Sequence, residues 1–552
     1  RDKTAFLRGA AIMAAAGVIS RILGAVYRIP LAHTIGDEGM GLLELAQPLY
    51  NFFLVASVAG LPLAVSKLVA ERIAVGDERG SFRILRVAIL IMLCTGLASS
   101  SLMYFGADWF AERVYHDVRV ALAMRAIAPA LFFVTVMSAF RGYFQGCQDM
   151  GPSAASQVVE QLVRVGTMLT LAAALMPRGV EYAAAGAALG AVTGGMAGLA
   201  YLGIAFARRM SAGGVGRGKS ARSKKAARAC IRTGVGNRAT KEETTWELVA
   251  DIFSIALPVA IGASVLPIVR AIDSAMVPAR LGAAGFTAET ATALFGQLSG
   301  MALPLAYFPN VLTIALATSI VPAISESLVA GSRSRALRRA GSAIRLTALI
   351  SLPAAFGLWT LSSEICSLVY GRPEVGRVLA ALAPASAFLC VLQTSGAILQ
   401  GMGYPGAPVK NLVAGSVVKV VCEYWLTGRP RLNVVGAAIS TSVGFGVVAL
   451  ANLADVARRL GHGAGVRLAS EFVKPAISAA IMAVVARTAY SFLVRATVRE
   501  GLATIASMMV AAVAYFLVML VIGGIVGADI EMIPKIGPPL ARVLGRIGLV
   551  KS

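Results

Sequence analysis

Arg21 and Arg28 lie seven residues apart in the apolar stretch 9–32, GAAIMAAAGVISRILGAVYRIPLA. On a helix that spacing is nearly two turns, so both guanidiniums point to almost the same side, about 10 Å apart along the axis. A guanidinium near the middle of a bilayer costs at least about 2.5–3.5 kcal/mol on insertion scales, so a charge placed there needs a role. Gly17 and Gly24 repeat the same spacing. One face therefore joins positive charge to small residues, which suits a wet cavity that accepts an anion. Arginine's planar fork grips two oxygens at once, which matches phosphate or pyrophosphate. Arg28, close to Pro30, has a second reading, in which its long side chain reaches the membrane interface.

Arg270 is a third such residue, eight positions before Pro278 as Arg21 is nine before Pro30. The other basic residues within apolar spans are Arg125, Arg164, Lys419 and Arg487, and the acids in or near spans are Glu44, Glu160, Asp273, Glu423 and Asp455. Glu160 with Arg164, and Lys419 with Glu423, stand four apart and can neutralise one another on their own helices, which reads as structural. Arg270 and Asp273 can pair in the same way at a spacing of three, whereas Arg21 and Arg28 have no acid within four residues. The excess charge is positive, so the expected cargo is an anion. The sequence carries no nucleophile motif, phosphate loop or metal spacing, and His33, His116 and His462 fall far apart in predicted loops. The glycine-rich GAALGAVTGG at 186–195 sits inside an apolar helix and reads as close helix packing.

The elements that must position these residues are membrane helices. The chain is 57% hydrophobic and 14% charged, with mean hydropathy +0.75, which is an all-α polytopic membrane protein rather than a soluble domain or a barrel. Fourteen transmembrane spans are expected, near 8–32, 46–70, 84–107, 120–145, 154–176, 183–207, 247–277, 293–325, 341–362, 376–400, 409–427, 433–457, 472–494 and 502–527. The first is too long, and too charged late in its length, for a cleaved signal peptide. The net charge of +23 collects in short loops, so it marks the cytoplasmic side rather than nucleic-acid binding. Lys67, Arg72, Arg79, Arg83 and Arg86 fall on one side with Arg333–Arg345 and Arg458–Lys474, while the first loop on the other side, 33–44, has no basic residue. Both termini are therefore expected in the cytoplasm. Residues 208–245, polar and basic, read as a flexible linker along an anionic inner leaflet. The six cysteines are scattered and expected to be free thiols.

The linker divides the spans six before and eight after, and the two parts resemble each other. Phe144-Gln145-Gly146 followed by Pro152 matches Leu399-Gln400-Gly401 followed by Pro405, and Val163-Arg164-Val165 matches Val418-Lys419-Val420, both at an offset of 255. Leu68-Val69-Ala70 matches Leu328-Val329-Ala330 at 260, and Gly186-Ala187-Ala188 matches Gly436-Ala437-Ala438 at 250. Four matches in order predict two pseudo-symmetric six-helix lobes, 1–207 and 246–458, with two more helices and a cytoplasmic tail in 459–552. Spans one and seven become symmetry mates, which pairs Arg21 with Arg270. Pro258, Pro267, Pro304 and Pro309 interrupt spans seven and eight, and bent helices suit a protein that opens alternately to each side.

Three stretches carry a family resemblance: ISRILGAVYRIPLAHTIGDEGMGLLELAQPLY, LPLAVSKLVAER at 61–72, and FRGYFQGCQDMGPSAASQVVEQLVRV at 140–165. They resemble the polysaccharide-exporter group of the multidrug/oligosaccharidyl-lipid/polysaccharide (MOP) flippase superfamily, in its stage V sporulation protein B branch, related to the MurJ-type lipid II flippases. The resemblance implies two six-helix lobes around a central cationic cavity, and two extra helices, about 472–527, forming a groove for a polyprenyl tail. It implies that Arg21, Arg28 and Arg270 bind substrate and that Asp37 takes part in gating. The implied cargo is an anionic undecaprenyl-pyrophosphate-linked saccharide such as lipid II. A monomer in the bacterial plasma membrane, surrounded by membrane lipids and using no cofactor, would flip it from the inner to the outer leaflet by alternating access. A cation-coupled multidrug exporter of the same superfamily is the first alternative, and it needs unpaired acids in the cavity. A membrane glycosyltransferase or polymerase is the second, and it usually needs a sizeable outer loop, where the longest expected here is about fifteen residues.

Overall fold

The computed structural model describes residues 12–211 and 244–524, apart from positions 14, 15, 18, 21, 22, 25, 59, 462, 497 and 498. Arg21, Cys230, His462 and most of the expected linker lie outside the described residues. The described chain is helical throughout, with no strand. Eleven of its helices are long and apolar enough to cross a membrane. In a bilayer every backbone polar group must be satisfied within its own segment, which is why so apolar a chain resolves into long helices. The protein is a multi-pass membrane protein.

Two compact units emerge, Arg1–Ala279 with Thr287–Gly296, and Arg280–Phe286 with Gln297–Ser552. In the first, helical residues from 12 to 27 lead into α1 (Arg28–Val58), α2 (Leu61–Ala74), α3 (Glu78–Arg113), α4 (Val120–Gly146), α5 (Met150–Leu175), α6 (Val180–Ser211), α7 (Thr245–Ala283) and α8 (Ala288–Phe295). Within α1 the backbone breaks at one residue, Gly36, whose φ of 70° and ψ of −173° leave the helical region. The sequence suggests a loop over 33–44; instead the chain is helical on both sides of Gly36, a conformation that costs glycine little. Gly60, with φ 81°, separates α2 from α1. α6 lies tightly on α5 because Gly186, Gly190 and Gly194 let two backbones approach. A β-carbon on these residues would stand 2.9 Å from the Leu171 carbonyl oxygen, 2.7 Å from that of Arg164 and 2.7 Å from that of Glu160 respectively.

The second unit holds a seven-residue π-helical segment, Gly296–Ala302, from Gln297 onward, then α9 (Leu303–Tyr307), α10 (Asn310–Val329), α11 (Arg333–Thr360), α12 (Ser362–Tyr370), α13 (Gly376–Gly401), α14 (Gly406–Thr427), α15 (Asn433–Leu460), α16 (Ala464–Arg495) and α17 (Glu500–Val521). The eighth expected span is thus not one helix. Pro304 has no N–H to give to a carbonyl one turn back, and the wider π turn immediately precedes it. α7, by contrast, runs unbroken for 39 residues through Pro258 and Pro267. α14 and α15 repeat the packing of α5 and α6, with a β-carbon on Gly436 standing 2.7 Å from the Leu426 oxygen and one on Gly444 2.7 Å from the Lys419 β-carbon.

Candidate functional site

The reversal at Gly36 sets the first pair of charges. Arg28 and Glu44 stand eight residues on either side of it, and Arg28 Nη1 donates to Glu44 Oε1 at 2.6 Å. Their side chains are 21% and 14% exposed, so this positive charge is balanced in a partly dry setting. Gly24, on the preceding turn, faces α5, where a β-carbon would meet Gln161 Nε2 at 3.5 Å; a β-carbon on Gly17 would meet nothing within 4 Å. Gly17 therefore borders open space and Gly24 borders α5.

Arg270 is exposed on α7. The pairing with Asp273 that the spacing permits is not formed, and Arg270 makes no ion pair among the described residues.

On α4 and α5 the charges form a triad that spacing alone did not reveal. Arg164 Nη2 donates to Glu160 Oε1 at 3.2 Å, the expected pairing along one helix, while Arg141 Nη2 donates to the other oxygen, Glu160 Oε2, at 2.9 Å. Arg141 Nε also donates to Ser156 Oγ at 3.1 Å. The turn at 147–149 folds α5 back on α4 and brings the two arginines to one carboxylate. Lys419 and Glu423 pair on α14 at 3.6 Å, as their spacing implies. Arg125 pairs with Asp108 of α3 and Arg487 with Glu364 of α12.

Asp37, the residue implied in gating, directly follows the Gly36 break. Its Oδ1 accepts the Glu38 N–H at 3.1 Å, and its carbonyl is where a β-carbon on Gly296 would collide. Beside it is a second cluster absent from the sequence reading. Asp117 is 4% exposed; it accepts from Arg119 Nη2 at 2.8 Å and from Thr292 Oγ1 of α8 at 2.8 Å. Arg119 also bridges to Glu38. Burial alone would push the Asp117 carboxyl up, but the bonds from Arg119 and Thr292 overcome it and hold it below the ordinary carboxylate value. The hydrogen bond to Asp117 raises Arg119 in turn, against the opposing effect of burial.

In the second unit, Phe388 and Val391 of α13, Leu450, Leu453 and Ala457 of α15, and Leu468 and Phe472 of α16 line part of an apolar cavity of about 520 Å³. Among the described residues no three His, Cys, Asp or Glu side chains gather as a metal site would need.

The family described as Polysaccharide biosynthesis protein matches residues 6–328, and the chain is 33% identical to the stage V sporulation protein B of Bacillus subtilis over 83% of this chain and 85% of that one. The chain belongs to the polysaccharide biosynthesis protein family. A second family, MatE, matches residues 297–425. Lipid II flippase MurJ of B. subtilis is 28% identical over 83% of each chain. Among solved structures, an inward closed conformation of lipid II flippase MurJ aligns with TM-score 0.66 at 14% identity, covering 93% of this chain and 98% of that one. An inward-facing multidrug resistance MATE family transporter aligns with TM-score 0.63 at 15% identity, covering 80% and 94%. This member of the family therefore shares its fold with transporters of the MOP superfamily.

Proposed function

We propose that the protein is a flippase that carries an undecaprenyl-pyrophosphate-linked saccharide, lipid II or a close relative, from the inner to the outer leaflet by alternating access. The observation that carries this reading is Arg270, exposed in mid-helix with no ion pair among the described residues, in a family whose relatives include a lipid II flippase. Arg270 grips the pyrophosphate, together with Arg21 and with Arg28 as it exchanges Glu44 for the ligand. Asp37, at the Gly36 break, takes part in closing the outer end. The polyprenyl tail stays in the bilayer against α16 and α17, and the cavity beside α16 supplies an apolar wall. The protein works as a monomer with both termini in the cytoplasm, without cofactor or nucleic acid. With the cell interior negative, outward movement of an anion gains about 2.3 kcal/mol per charge per 100 mV, so no ATP site is required.

The MatE match at 297–425 favours a second reading, a cation-coupled multidrug exporter. Such a protein needs free carboxylates in its cavity, yet four of the five acids in or near spans, Glu44, Glu160, Glu423 and Asp455, pair with a basic side chain. Thermal stabilisation of the purified protein by lipid II rather than by a cationic dye separates the two readings. The flippase reading is tested by Arg270→Ala in a leaflet-accessibility assay. Translocation should be lost at unchanged protein abundance, and full activity sinks the assignment.

A further inference from the structure

Among the described residues, two clusters in the first unit join more than one cation to one acid, or the reverse. Arg28 pairs with Glu44, Arg72 with Asp77, Arg125 with Asp108 and Arg209 with Asp149, and Arg119 stands among three acids, Asp117, Glu38 and Glu289. At α4 and α5 two guanidiniums share the single carboxylate of Glu160. The cluster therefore holds one positive charge in excess, with side chains only 13–25% exposed. A desolvated surplus charge of this kind is costly unless an anion completes it.

The donors available there are built for an oxyanion. Arg164 Nε is buried and has no hydrogen-bond partner, so one edge of its fork is uncommitted. The Tyr50 hydroxyl of α1 lies beside the same guanidinium. Ser156 fixes Arg141 through Nε, and Arg141 Nη2 donates to Glu160. Behind the cluster, Gly194 of α6 sits close under the Glu160 backbone, where a larger residue would displace α5. Ser153, Ser156, Glu160 and Arg164 follow one another along one face of α5. Gln161, next on this helix, faces Gly24, one turn before Arg28.

We propose that Arg141 and Arg164 form an anion-binding pair for the phosphate oxygens of the transported lipid, with Glu160 as an internal counter-ion that holds the two forks in place and gives them up to the ligand. This rests on the flippase reading and adds a second phosphate contact on α4 and α5. The charged groups around Glu160 set the sign of the central test. If Glu160 competes with the ligand, removing its charge strengthens anion binding; if the triad is only a structural brace, removing it weakens the helix pair and leaves binding unchanged or poorer.

The test uses the full chain in nanodiscs and undecaprenyl pyrophosphate as the probe, with thermal unfolding recorded beside each affinity. Glu160→Gln should bind about three- to tenfold tighter than wild type, and Arg164→Ala about tenfold weaker. Arg164→Lys keeps the charge but loses the fork, so it should bind several-fold weaker with an unchanged unfolding midpoint. Arg164→Lys thus decides the case if either other variant fails to fold. Unchanged or weaker binding by Glu160→Gln, or wild-type binding by Arg164→Lys, overturns the pair. Arg270→Ala is the independent arm. Weakened binding there, with the α5 variants unaffected, removes the pair and keeps the flippase reading, whereas a wild-type protein that does not bind the lipid overturns both.

Discussion

Arg164 and Lys419 hold equivalent places in two helix hairpins, one in each unit. The Arg164 β-carbon lies 2.8 Å from where a β-carbon on Gly194 would stand, and the Lys419 β-carbon 2.7 Å from one on Gly444. The equivalence extends to a second contact. Gly146 faces the Ser66 carbonyl and Val69, while Gly401 faces the Val321 carbonyl and Ile324, each residue shifted by 255. Close backbone approach is what these glycines provide, so Gly194→Val and Gly444→Val should each cost about 1–3 kcal/mol through overpacking. Thermal unfolding in detergent measures it. Gly203→Ala, where a β-carbon meets nothing within 4 Å, is the control and should leave the midpoint in place.

The helices and the glycine seam were legible in the sequence because a bilayer forces long apolar helices and small residues mark where they touch. The stretch GAALGAVTGG packs as its composition suggested, against α5. Long-range charge pairing was not legible. Glu44 reaches Arg28 only because the chain reverses at the single residue Gly36, and no reasoning confined to one helical turn joins positions sixteen apart. Arg141 stands near the end of its span, and its partner Glu160 is reached only across the following turn. The signal that was present is its place within an apolar span, six residues before a tight turn into a helix bearing an acid. Asp117 and Thr292 are 175 positions apart, beyond any spacing rule.

The pairing of Arg28 with Glu44 makes its two roles separable. Arg28→Met alone leaves a 14% exposed carboxylate without this cation, and should destabilise by about 1–3 kcal/mol. Adding Glu44→Leu removes the orphaned charge and should recover most of that loss. Translocation should stay impaired in the double variant if Arg28 also grips the ligand. Recovery of transport together with stability would reduce the pair to a brace.

Asp117 gives a pH dependence of definite sign. Its carboxyl is held below its ordinary value by Arg119 and Thr292 against the opposing pull of burial, so its stabilising contribution is present above about pH 4, the unfolded value, and is lost as pH falls through the lower folded one. Asp117→Asn should therefore lower the unfolding midpoint at pH 7, and the gap to wild type should close below about pH 4. Thr292→Val removes one of the bonds and should move that closing point upward. A gap that is constant across this range would show that the cluster is not ionic in effect.

The apolar cavity beside α16 separates head-group binding from tail binding. Its wall is made of α13, α15 and α16, with Ala457 and Ala469 among the small residues that leave it open. Each methylene buried from water is worth about 0.8 kcal/mol, so a tail that uses this wall contributes through chain length and not through charge. Ala469→Phe fills the space and replaces no arginine. The variant should bind undecaprenyl pyrophosphate several-fold more weakly than wild type while binding a short-chain farnesyl pyrophosphate equally well, both measured on nanodisc-embedded protein. Equal losses for the two lipids would mean that the substitution disturbs the anion site, and no loss for either would place the tail elsewhere on α16 and α17.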